Sequence, residues 1–158
     1  MKKRVIAVTG TPGTGKTILA KKICKEFGFK YVDVNEIIDE YGLKEFYDRK
    51  RKCFAIDVKK LVKVLVKLIR DSEKDIVVDS HLSHYIPKKH VDLCIITKCS
   101  LDKLEKRLEK RGYPRKKIRE NLDCEIFDVC LNEAKESGHD IKVVDTGKSY
   151  NVLDLFEK

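Results

Sequence analysis

The sequence predicts an α/β fold of three layers, in which a parallel sheet of five strands is flanked by helices on both faces. Three observations favour this class. Segments that read as strands alternate with segments that read as helices along all 158 residues, which is typical of a parallel sheet. The strand segments are almost continuously apolar, as strands covered on both faces are. No internal repeat and no linker rich in proline or glycine interrupts the chain, so we expect one domain covering residues 1–158.

The predicted strands are short apolar runs that end in polar residues. In chain order they are Arg4–Thr9, Lys30–Val34, Asp75–Ser80, Val91–Thr97 and Asp140–Thr146. In such sheets a ligand binds at the carboxyl ends of the strands. We therefore expect the chemistry just after the first, third and fifth strands.

The predicted helices lie between these strands and begin or end at recognisable signals. The first is Lys16–Phe27, before Gly28, and the second is capped by Asp57 and carries an apolar stripe of Val58, Leu61, Val62, Leu65 and Leu68. The third is capped by Ser100 and has Leu101, Leu104 and Leu108 on one face. One long helix follows Gly112–Pro114, with Ile118, Leu122, Ile126 and Val129 inward, and a last helix starts from Asn151. Residues 35–54 are polar and mixed, and we expect one or two short helices there.

The charge of the chain is unevenly distributed. Residues 1–119 hold 31 basic and 16 acidic side chains, whereas the whole chain has a net charge of +9. A basic body suits nucleotides, RNA or an assembly rich in RNA, and a solvated surface of the kind found in thermophiles is the alternative. No apolar run is long enough to span a bilayer and no signal peptide is recognisable, so we expect no membrane partner and a cytoplasmic location.

Six cysteines are present, and none forms a C-x-x-C pair. A metal site would need closely spaced pairs, so buried free thiols are the favoured interpretation.

The stretch Gly10–Thr17, GTPGTGKT, matches the phosphate-binding pattern G-x-x-x-x-G-K-[ST] in full. It follows a predicted strand and opens a predicted helix, so its N–H groups would surround phosphate oxygens at the positive end of the helix. Lys16 would reach the β- and γ-phosphates, and the Thr17 hydroxyl would bind Mg²⁺. The alternative is a glycine-rich turn without a ligand. The complete motif favours a P-loop NTPase fold, and the absence of an N-K-x-D motif in so short a chain indicates a small kinase rather than a GTPase.

Asp79 ends the third predicted strand, in VVDSH, where P-loop proteins place the carboxylate that holds Mg²⁺. The alternative is an aspartate that caps a turn. His81 follows two residues later and should face the same side as Asp79, where it could orient a water or an acceptor phosphate. A surface loop histidine is the alternative for His81. We expect His84 to lie on the surface.

These motifs together resemble adenylate kinase isoenzyme 6, the coilin-interacting nuclear ATPase group, in a prokaryotic or archaeal form. The resemblance rests on GTPGTGKT, VVDSH and LEKRGYPRKKIRENLDCEIFDV, and it runs nearly end to end. It implies a monophosphate-binding region at residues 33–55 and a short lid at residues 110–120. It also implies ATP and Mg²⁺ as cofactors and AMP or another nucleoside monophosphate as acceptor. It further implies a role in small ribosomal subunit maturation, with a small-subunit ribosomal protein as partner and rRNA as a further contact.

The resemblance also implies roles for residues outside the P-loop. Arg111 would close from the lid and neutralise charge on the transferred phosphoryl group, although it could simply stabilise a helix end. Arg107, one turn earlier, could assist or be solvated. The expected catalytic residues are Lys16, Asp79, His81 and Arg111, the expected metal ligands are Thr17 and Asp79, and the expected nucleotide contacts are Gly13, Thr14, Gly15, Lys16, Thr17, Ile18, Arg111 and Lys148.

The sequence departs from ordinary adenylate kinases where those enzymes hold the AMP phosphate. No arginine follows Asp79, and Asp39 stands near the position where a monophosphate-binding arginine is expected. Arg49–Lys52 could supply the missing cations, meet RNA or an acidic partner, or form a solvated run. Two hypotheses follow: a nucleoside monophosphate kinase with associated ATPase activity, and an ATPase that acts chiefly as an assembly factor. A sensor that binds ATP without turnover is a third, less favoured interpretation.

Overall fold

A computed structural model describes residues 2–49 and 53–156 of the chain, with the backbone alone described for Cys53 and Phe54. Its strands and helices alternate as the sequence predicts. In chain order they are β1 (Val5–Thr9), α1 (Lys16–Phe27), β2 (Lys30–Asp33), α2 (Val34–Glu40), β3 (Lys44–Asp48), β4 (Cys53–Ile56), α3 (Val58–Asp71), β5 (Ile76–Asp79), β6 (Leu93–Lys98), α4 (Leu101–Lys110), α5 (Arg115–Ile126), α6 (Val129–Glu136) and β7 (Ile141–Asp145). Short 3-10 helices cover Ser83–Tyr85, Lys88–His90 and Val152–Phe156.

The parallel sheet of five strands is confirmed, with the order β2-β5-β1-β6-β7. The central strand β1 pairs Val8 with Asp79 of β5 and Thr9 with Ile96 of β6. Because all five strands run in one direction, their carboxyl ends meet at one edge of the sheet. This order places the loop after β1 directly beside the end of β5.

The helices cover both faces of the sheet, which explains why β1 is apolar throughout. Successive side chains of a strand point to opposite faces. Val5 and Ala7 pack in the core that includes α3, whereas Ile6 and Val8 pack in the core that includes α1. Every residue of β1 is buried as a result.

The predicted helix caps Asp57 and Ser100 both form. The Asp57 carboxylate accepts a hydrogen bond of 3.2 Å from a backbone N–H one turn into α3, and Ser100 does the same for α4 at 3.4 Å. Of the three leucines predicted on one face of α4, Leu104 and Leu108 are fully buried and Leu101 is 43% exposed.

The insert between β2 and α3 differs from the prediction of one or two short helices. One short helix is present, α2, which ends at Glu40, and Gly42 just beyond it is in the left-handed conformation. The residues after it form an antiparallel hairpin of β3 and β4, with Tyr47 opposite Phe54. Aromatic side chains favour extended backbone, and they outweigh the polar character of this segment.

The single long helix predicted after Pro114 is in fact two helices, α5 and α6. The break is at Asp128, which has a φ of 50°. The left-handed conformation costs about 1–2 kcal/mol for a residue with a side chain. An ion pair between Asp128 and Lys98 of β6 offsets this cost. The break turns Ile126 outward, 53% exposed, so its predicted inward orientation is wrong.

The segment from Asn151 is helical as expected, but it is a 3-10 helix. Its Phe156 ring packs edge-on against Phe27, with centroids 4.8 Å apart.

The thiols agree with the expectation of free cysteines. Cys94 is buried and Cys24 and Cys130 are half-buried, and no disulfide joins the cysteines whose side chains are described. In the described parts of the chain no helix combines the length and apolar character needed to cross a membrane.

Candidate active site

The loop between β1 and α1 depends on two glycines that the rest of the fold approaches closely. Gly13 has a φ of +93°, and a Cβ atom there would lie 2.9 Å from Cδ1 of Leu104. Gly15 has a φ of +86°, and its Cβ atom would lie 3.1 Å from Oγ1 of Thr146. Only glycine adopts such angles without strain. Any other residue would strain the loop and push it away from α4 or from the end of β7.

Thr14 shapes the same loop from inside. Its side chain is fully buried, and its hydroxyl donates a hydrogen bond of 2.6 Å to the Thr11 carbonyl and lies 2.7 Å from the Thr97 hydroxyl. Its carbonyl accepts a 2.5 Å hydrogen bond from the Thr146 hydroxyl. The Thr14 side chain therefore fixes the loop and does not face the open space above it.

Lys16 folds back onto the loop. Its ammonium donates hydrogen bonds to the carbonyl oxygens of Gly10, at 3.0 Å, and Thr11, at 3.2 Å. Burial lowers the pKa of Lys16 from its ordinary 10.5 to about 8, and the nearby carboxylate of Asp79 opposes that shift. The ammonium thus lies beside the loop. Rotation about its side-chain bonds would bring it to a phosphate bound there.

Asp79 lies at the end of β5 and is only 6% exposed. Its Oδ2 accepts two hydrogen bonds, one of 2.8 Å from the Thr17 hydroxyl and one of 2.7 Å from the Tyr31 hydroxyl. Burial, then the hydrogen bond to Asp79, raises the pKa of Tyr31 well above its ordinary value. Sequence reasoning missed Tyr31, because its contact with Asp79 depends on β2 being the neighbour of β5.

Thr17 and Asp79 fit a magnesium ion by geometry and by chemistry. Mg²⁺ takes oxygen ligands at about 2.0–2.1 Å in an octahedron, so adjacent ligand oxygens lie about 2.9 Å apart. The two side-chain oxygens here are 2.8 Å apart. The described residues contain no group of three or more histidine, cysteine or acidic side chains that could hold a metal alone. Mg²⁺ is usually bound through one or two protein carboxylates together with substrate phosphates and water.

His81 lies beyond Asp79 with an exposed side chain that projects into a cleft. The cleft walls displace bulk water from the imidazole, and the positive charge of Lys16 adds to this effect. Together they lower the pKa of His81 from 6.5 to about 4. The ring is therefore neutral at physiological pH and can donate or accept one hydrogen bond at each nitrogen.

His84 is buried, so the expectation that it lies on the surface is wrong. The 3-10 helix Ser83–Tyr85 packs against the sheet, and Nδ1 of His84 lies 2.7 Å from the Thr9 hydroxyl. Nε2 lies 3.5 Å from a carboxylate oxygen of Glu133. Burial lowers the pKa of His84, although Glu133 opposes the shift. Its partners are distant in sequence, which is why the local pattern did not reveal its position.

Two arginines, Arg107 in α4 and Arg111 at its C-terminal cap, lie near the P-loop. Nη1 of Arg107 donates hydrogen bonds to the Gly13 carbonyl, at 3.2 Å, and to the Thr146 hydroxyl, at 3.4 Å. Arg111 caps the end of α4 with an exposed side chain that faces the cleft. Arg107 thus contacts the loop directly, whereas Arg111 lies at the entrance.

Two clefts flank the P-loop and share it as a wall. The small cleft has a volume of about 530 Å³ and is lined by α4, by the loop after β7 and by Gly13, Gly15, Ile18 and Lys148. Lys148 is exposed, 3.9 Å from Asp145, and Ile18 is 63% exposed. The large cleft has a volume of about 810 Å³ and lies between the P-loop, α2, β5 and α5. Lys16, Thr17, Asp79, His81 and Arg111 all line it.

The insert supplies one wall of the large cleft. Asp39 lines it and forms an ion pair of 2.8 Å with Lys44 of β3. Arg49 is exposed near the end of the hairpin. The other cations of the basic run, residues 50–52, lie outside the described residues.

Glu125 links the P-loop to α5, and sequence reasoning did not single it out. Its carboxylate is buried and accepts hydrogen bonds from the Thr11 hydroxyl at 3.3 Å, from Lys98 at 3.1 Å and from the backbone N–H of Cys99 at 3.1 Å. The sequence signal that could have revealed Glu125 is its charge within the otherwise apolar stretch CEIF. Through this carboxylate the loop is tied to α5, whose first half belongs to the predicted lid.

Comparison with known proteins agrees with this geometry. The profile of a family described as an AAA domain matches residues 6–128. A protein of Methanocaldococcus jannaschii named "Putative adenylate kinase" is 40% identical over 152 residues, which cover 96% of this chain and 84% of that protein. A protein of Caenorhabditis elegans named "Adenylate kinase isoenzyme 6 homolog" is 37% identical over 132 residues, covering 84% of this chain and 72% of that protein.

Solved structures show the same fold at low identity. A crystal structure titled as a "putative kinase" from Chloroflexus aurantiacus superposes with a TM-score of 0.59 at 15% identity, covering 98% of this chain and 95% of the other. A sugar kinase structure from Janibacter sp. gives a TM-score of 0.59 at 13% identity, covering 94% and 88%.

The phosphate loop, the carboxylate beside it and the close relatives lead to one assignment. The chain belongs to the P-loop kinase family that contains the adenylate kinase isoenzyme 6 homologues, and it is an adenylate kinase-like nucleotide kinase.

Proposed function

We propose that this protein transfers the γ-phosphoryl group of MgATP to a nucleoside monophosphate, with AMP as the preferred acceptor. The observation that carries the proposal is that two clefts meet at the P-loop. The small cleft is open beside Gly13 and the loop after β7, where the ATP base would bind. The large cleft, about 810 Å³, has the size of a pocket for a second nucleotide, and Lys16 and Asp79 face into it.

The proposed roles follow from position. The P-loop N–H groups and Lys16 would bind the β- and γ-phosphates. Thr17 and Asp79 would hold Mg²⁺, which would supply positive charge to the phosphates. Arg111 reaches the transferred group from the lid, and Arg107 fixes the P-loop carbonyl beneath it. The protein supplies little covalent chemistry, so alignment of the two nucleotides and charge neutralisation account for most of the rate.

The neutral imidazole of His81 would orient the acceptor phosphate, or a water molecule when no acceptor is present. We assign the monophosphate-binding region to residues 33–55, which include α2 and the hairpin, and the lid to residues 110–120, which join α4 to α5. Lys148 and Ile18 would contact the ATP base or ribose in the small cleft.

A second function is ATP hydrolysis coupled to a partner. The observation that favours it is the composition of the large cleft: Arg111 is the single arginine among its described lining residues, so an AMP phosphate lacks the usual arginine contacts. An acceptor held weakly leaves room for water beside His81. In this role the partner would be a small-subunit ribosomal protein, with contacts to rRNA, during ribosome maturation.

A nucleotide balance separates the two functions. The purified protein is incubated with MgATP, with and without AMP, and ATP, ADP, AMP and free phosphate are quantified by chromatography. Two ADP per ATP consumed, formed only with AMP and without free phosphate, support the kinase. Equal amounts of ADP and phosphate, independent of AMP, would contradict it and support the ATPase.

A further inference from the structure

The large cleft contains several cations, and their contacts show which of them is placed for an acceptor. Its described cationic lining residues are Lys16, Lys21, Lys44, Arg111 and Lys117. Lys16 belongs to the P-loop, and Arg111 lies at the entrance shared with the small cleft. The remaining three are lysines, one each on α1, β3 and α5.

Two of these lysines are exposed and contact residues of β2 and α2. Lys21 lies over the Tyr31 ring, with Nζ 5.6 Å from the centroid. Lys44 forms the 2.8 Å ion pair with Asp39.

Lys117 differs from both, because it is half-buried and its position is fixed by an aromatic ring. Its Nζ lies 3.9 Å from the centroid of the Tyr113 ring, a close cation–π contact. Tyr113 itself packs against the buried leucines of α4 and so cannot move freely. The ammonium is therefore held in place before any ligand arrives.

Lys117 faces the same space as the P-loop lysine and His81. All three line the large cleft, together with the carboxylates of Asp33, Asp39, Asp79, Glu120 and Glu133. Because a dianionic phosphate is attracted by cations and repelled by carboxylates, one bound between the P-loop and α5 would be held by Lys16 and Lys117.

We propose that Lys117 binds the phosphate group of the acceptor nucleotide, in the place of the arginines that the sequence lacks. The inference rests on the proposed transfer to a nucleoside monophosphate and names the residue that selects the acceptor by its phosphate. Lys117 lies in the first turn of α5, within the proposed lid at residues 110–120, so closure of the lid would bring the ammonium onto the phosphate. A lysine acts as a point charge, so it fixes the phosphate without dictating one orientation of the sugar.

The test compares the binding of AMP and of adenosine by titration calorimetry, using the full chain. Lys117→Gln should weaken AMP binding about 10- to 100-fold, since it removes one charge-assisted contact. Adenosine, which has no phosphate, should bind the variant and the parent protein alike. Lys117→Arg should restore most of the AMP affinity, and Tyr113→Leu should weaken AMP binding a few-fold by releasing the ammonium.

The matched control is Lys116→Gln. Lys116 is the neighbouring residue of α5, carries the same charge and is exposed outside the large cleft. It should leave AMP binding unchanged, and equal losses in both variants would reduce the effect to the general charge of α5. A thermal melt of each variant checks that the fold is intact.

The outcomes separate this inference from the proposed function. Unchanged AMP affinity in Lys117→Gln, or an equal loss for adenosine, overturns the role of Lys117 even if the parent protein forms two ADP from ATP and AMP. Loss of AMP binding with no phosphoryl transfer in the parent protein retains the phosphate site and rejects the kinase. A parent protein that binds neither AMP nor any other nucleoside monophosphate rejects both.

Discussion

The Tyr31 hydroxyl lies 2.7 Å from Oδ2 of Asp79, the same oxygen that accepts the hydrogen bond of Thr17. Tyr31 lies on β2 and Asp79 on β5, which are adjacent in the sheet. The carboxylate is thus oriented by two hydroxyl groups, one on α1 and one on β2. An aromatic hydroxyl on a neighbouring strand therefore presets the proposed magnesium ligand.

Tyr31→Phe should weaken magnesium binding while leaving the fold intact. A hydrogen bond to a charged group contributes about 1.5–3 kcal/mol, so the Mg²⁺ concentration for half-maximal activity should rise about tenfold or more. It is measured by titrating Mg²⁺ at a fixed ATP concentration. Tyr41→Phe, at a residue that is 53% exposed, is the control and should change nothing. An unchanged Mg²⁺ requirement in Tyr31→Phe would leave Tyr31 as a packing residue.

Lys16 should make ATP binding sensitive to pH above neutrality. Its pKa of about 8 means that the ligand-free protein loses the ammonium charge as pH rises through 8 instead of through 10.5. The phosphates are already ionised above about pH 7, so the lysine is the group that changes. Beyond its pKa, the affinity for ATP should fall up to about tenfold per pH unit.

The measurement is calorimetry of ATP binding across this range in buffers of different ionisation enthalpy. Uptake of a proton on binding above pH 8 is expected, because bound phosphate restores the charge. Lys16→Arg keeps its charge at every pH, so its affinity, even if lower, should not fall. Lys16→Ala should reduce turnover at least about 100-fold. A pH-independent affinity in the parent protein would refute the role of the lysine charge.

His81→Ala should lower the rate of phosphoryl transfer or hydrolysis about 10- to 100-fold while leaving ATP affinity nearly unchanged. The imidazole lies beyond the P-loop and would contact the acceptor or water. Because the pKa of His81 is about 4 instead of 6.5, the ring is neutral at pH 5 to 7. The rate should therefore show no titration step near pH 6.5. Steady-state kinetics at several pH values and a separate ATP titration give both quantities.

The control for this variant is His90→Ala, a histidine in the 3-10 helix before β6, away from both clefts. Its rate should equal that of the parent protein. Equal losses of rate and affinity in His81→Ala would show that the residue supports nucleotide binding generally.

Glu125→Gln should destabilise the protein by about 1–3 kcal/mol and also weaken ATP binding. The change removes the charge opposite Lys98 and weakens the hydrogen bond that fixes Thr11 in the P-loop. Urea unfolding measures the first effect and calorimetry the second. Glu136→Gln on the exposed face of α6 is the matched control. A loss of stability with unchanged ATP affinity would show that Glu125 stabilises the fold but does not order the P-loop for ATP binding.

The sequence is sufficient for the sheet and for the P-loop. Both depend on local signals. The strands are short apolar runs, and the P-loop is a fixed spacing of glycines and a lysine between a strand and a helix. Asp57 and Ser100 cap their helices as expected, because a cap is formed within one turn of the chain.

The features that sequence reasoning missed depend on contacts between distant segments. Asp128 breaks the long helix because Lys98, thirty residues earlier, pairs with its carboxylate in the left-handed conformation. His84 is buried because Thr9 and Glu133 lie on either side of its ring. The first strand of the hairpin, β3, appeared polar because most of its side chains are exposed and three of its five residues are charged, which masked the preference of Phe46 and Tyr47 for extended backbone.

The division of the site between segments has a consequence for how this enzyme could diversify. The proposed ATP-binding end of the site is built from strand ends in the middle of the sheet, where β1 is enclosed on both sides. The proposed acceptor end is built from the α2–hairpin insert and from α5, at the periphery of the sheet. Mutations at the periphery alter a surface loop and leave the sheet intact. The residues that select the acceptor can therefore change during evolution while the residues proposed to bind ATP stay the same.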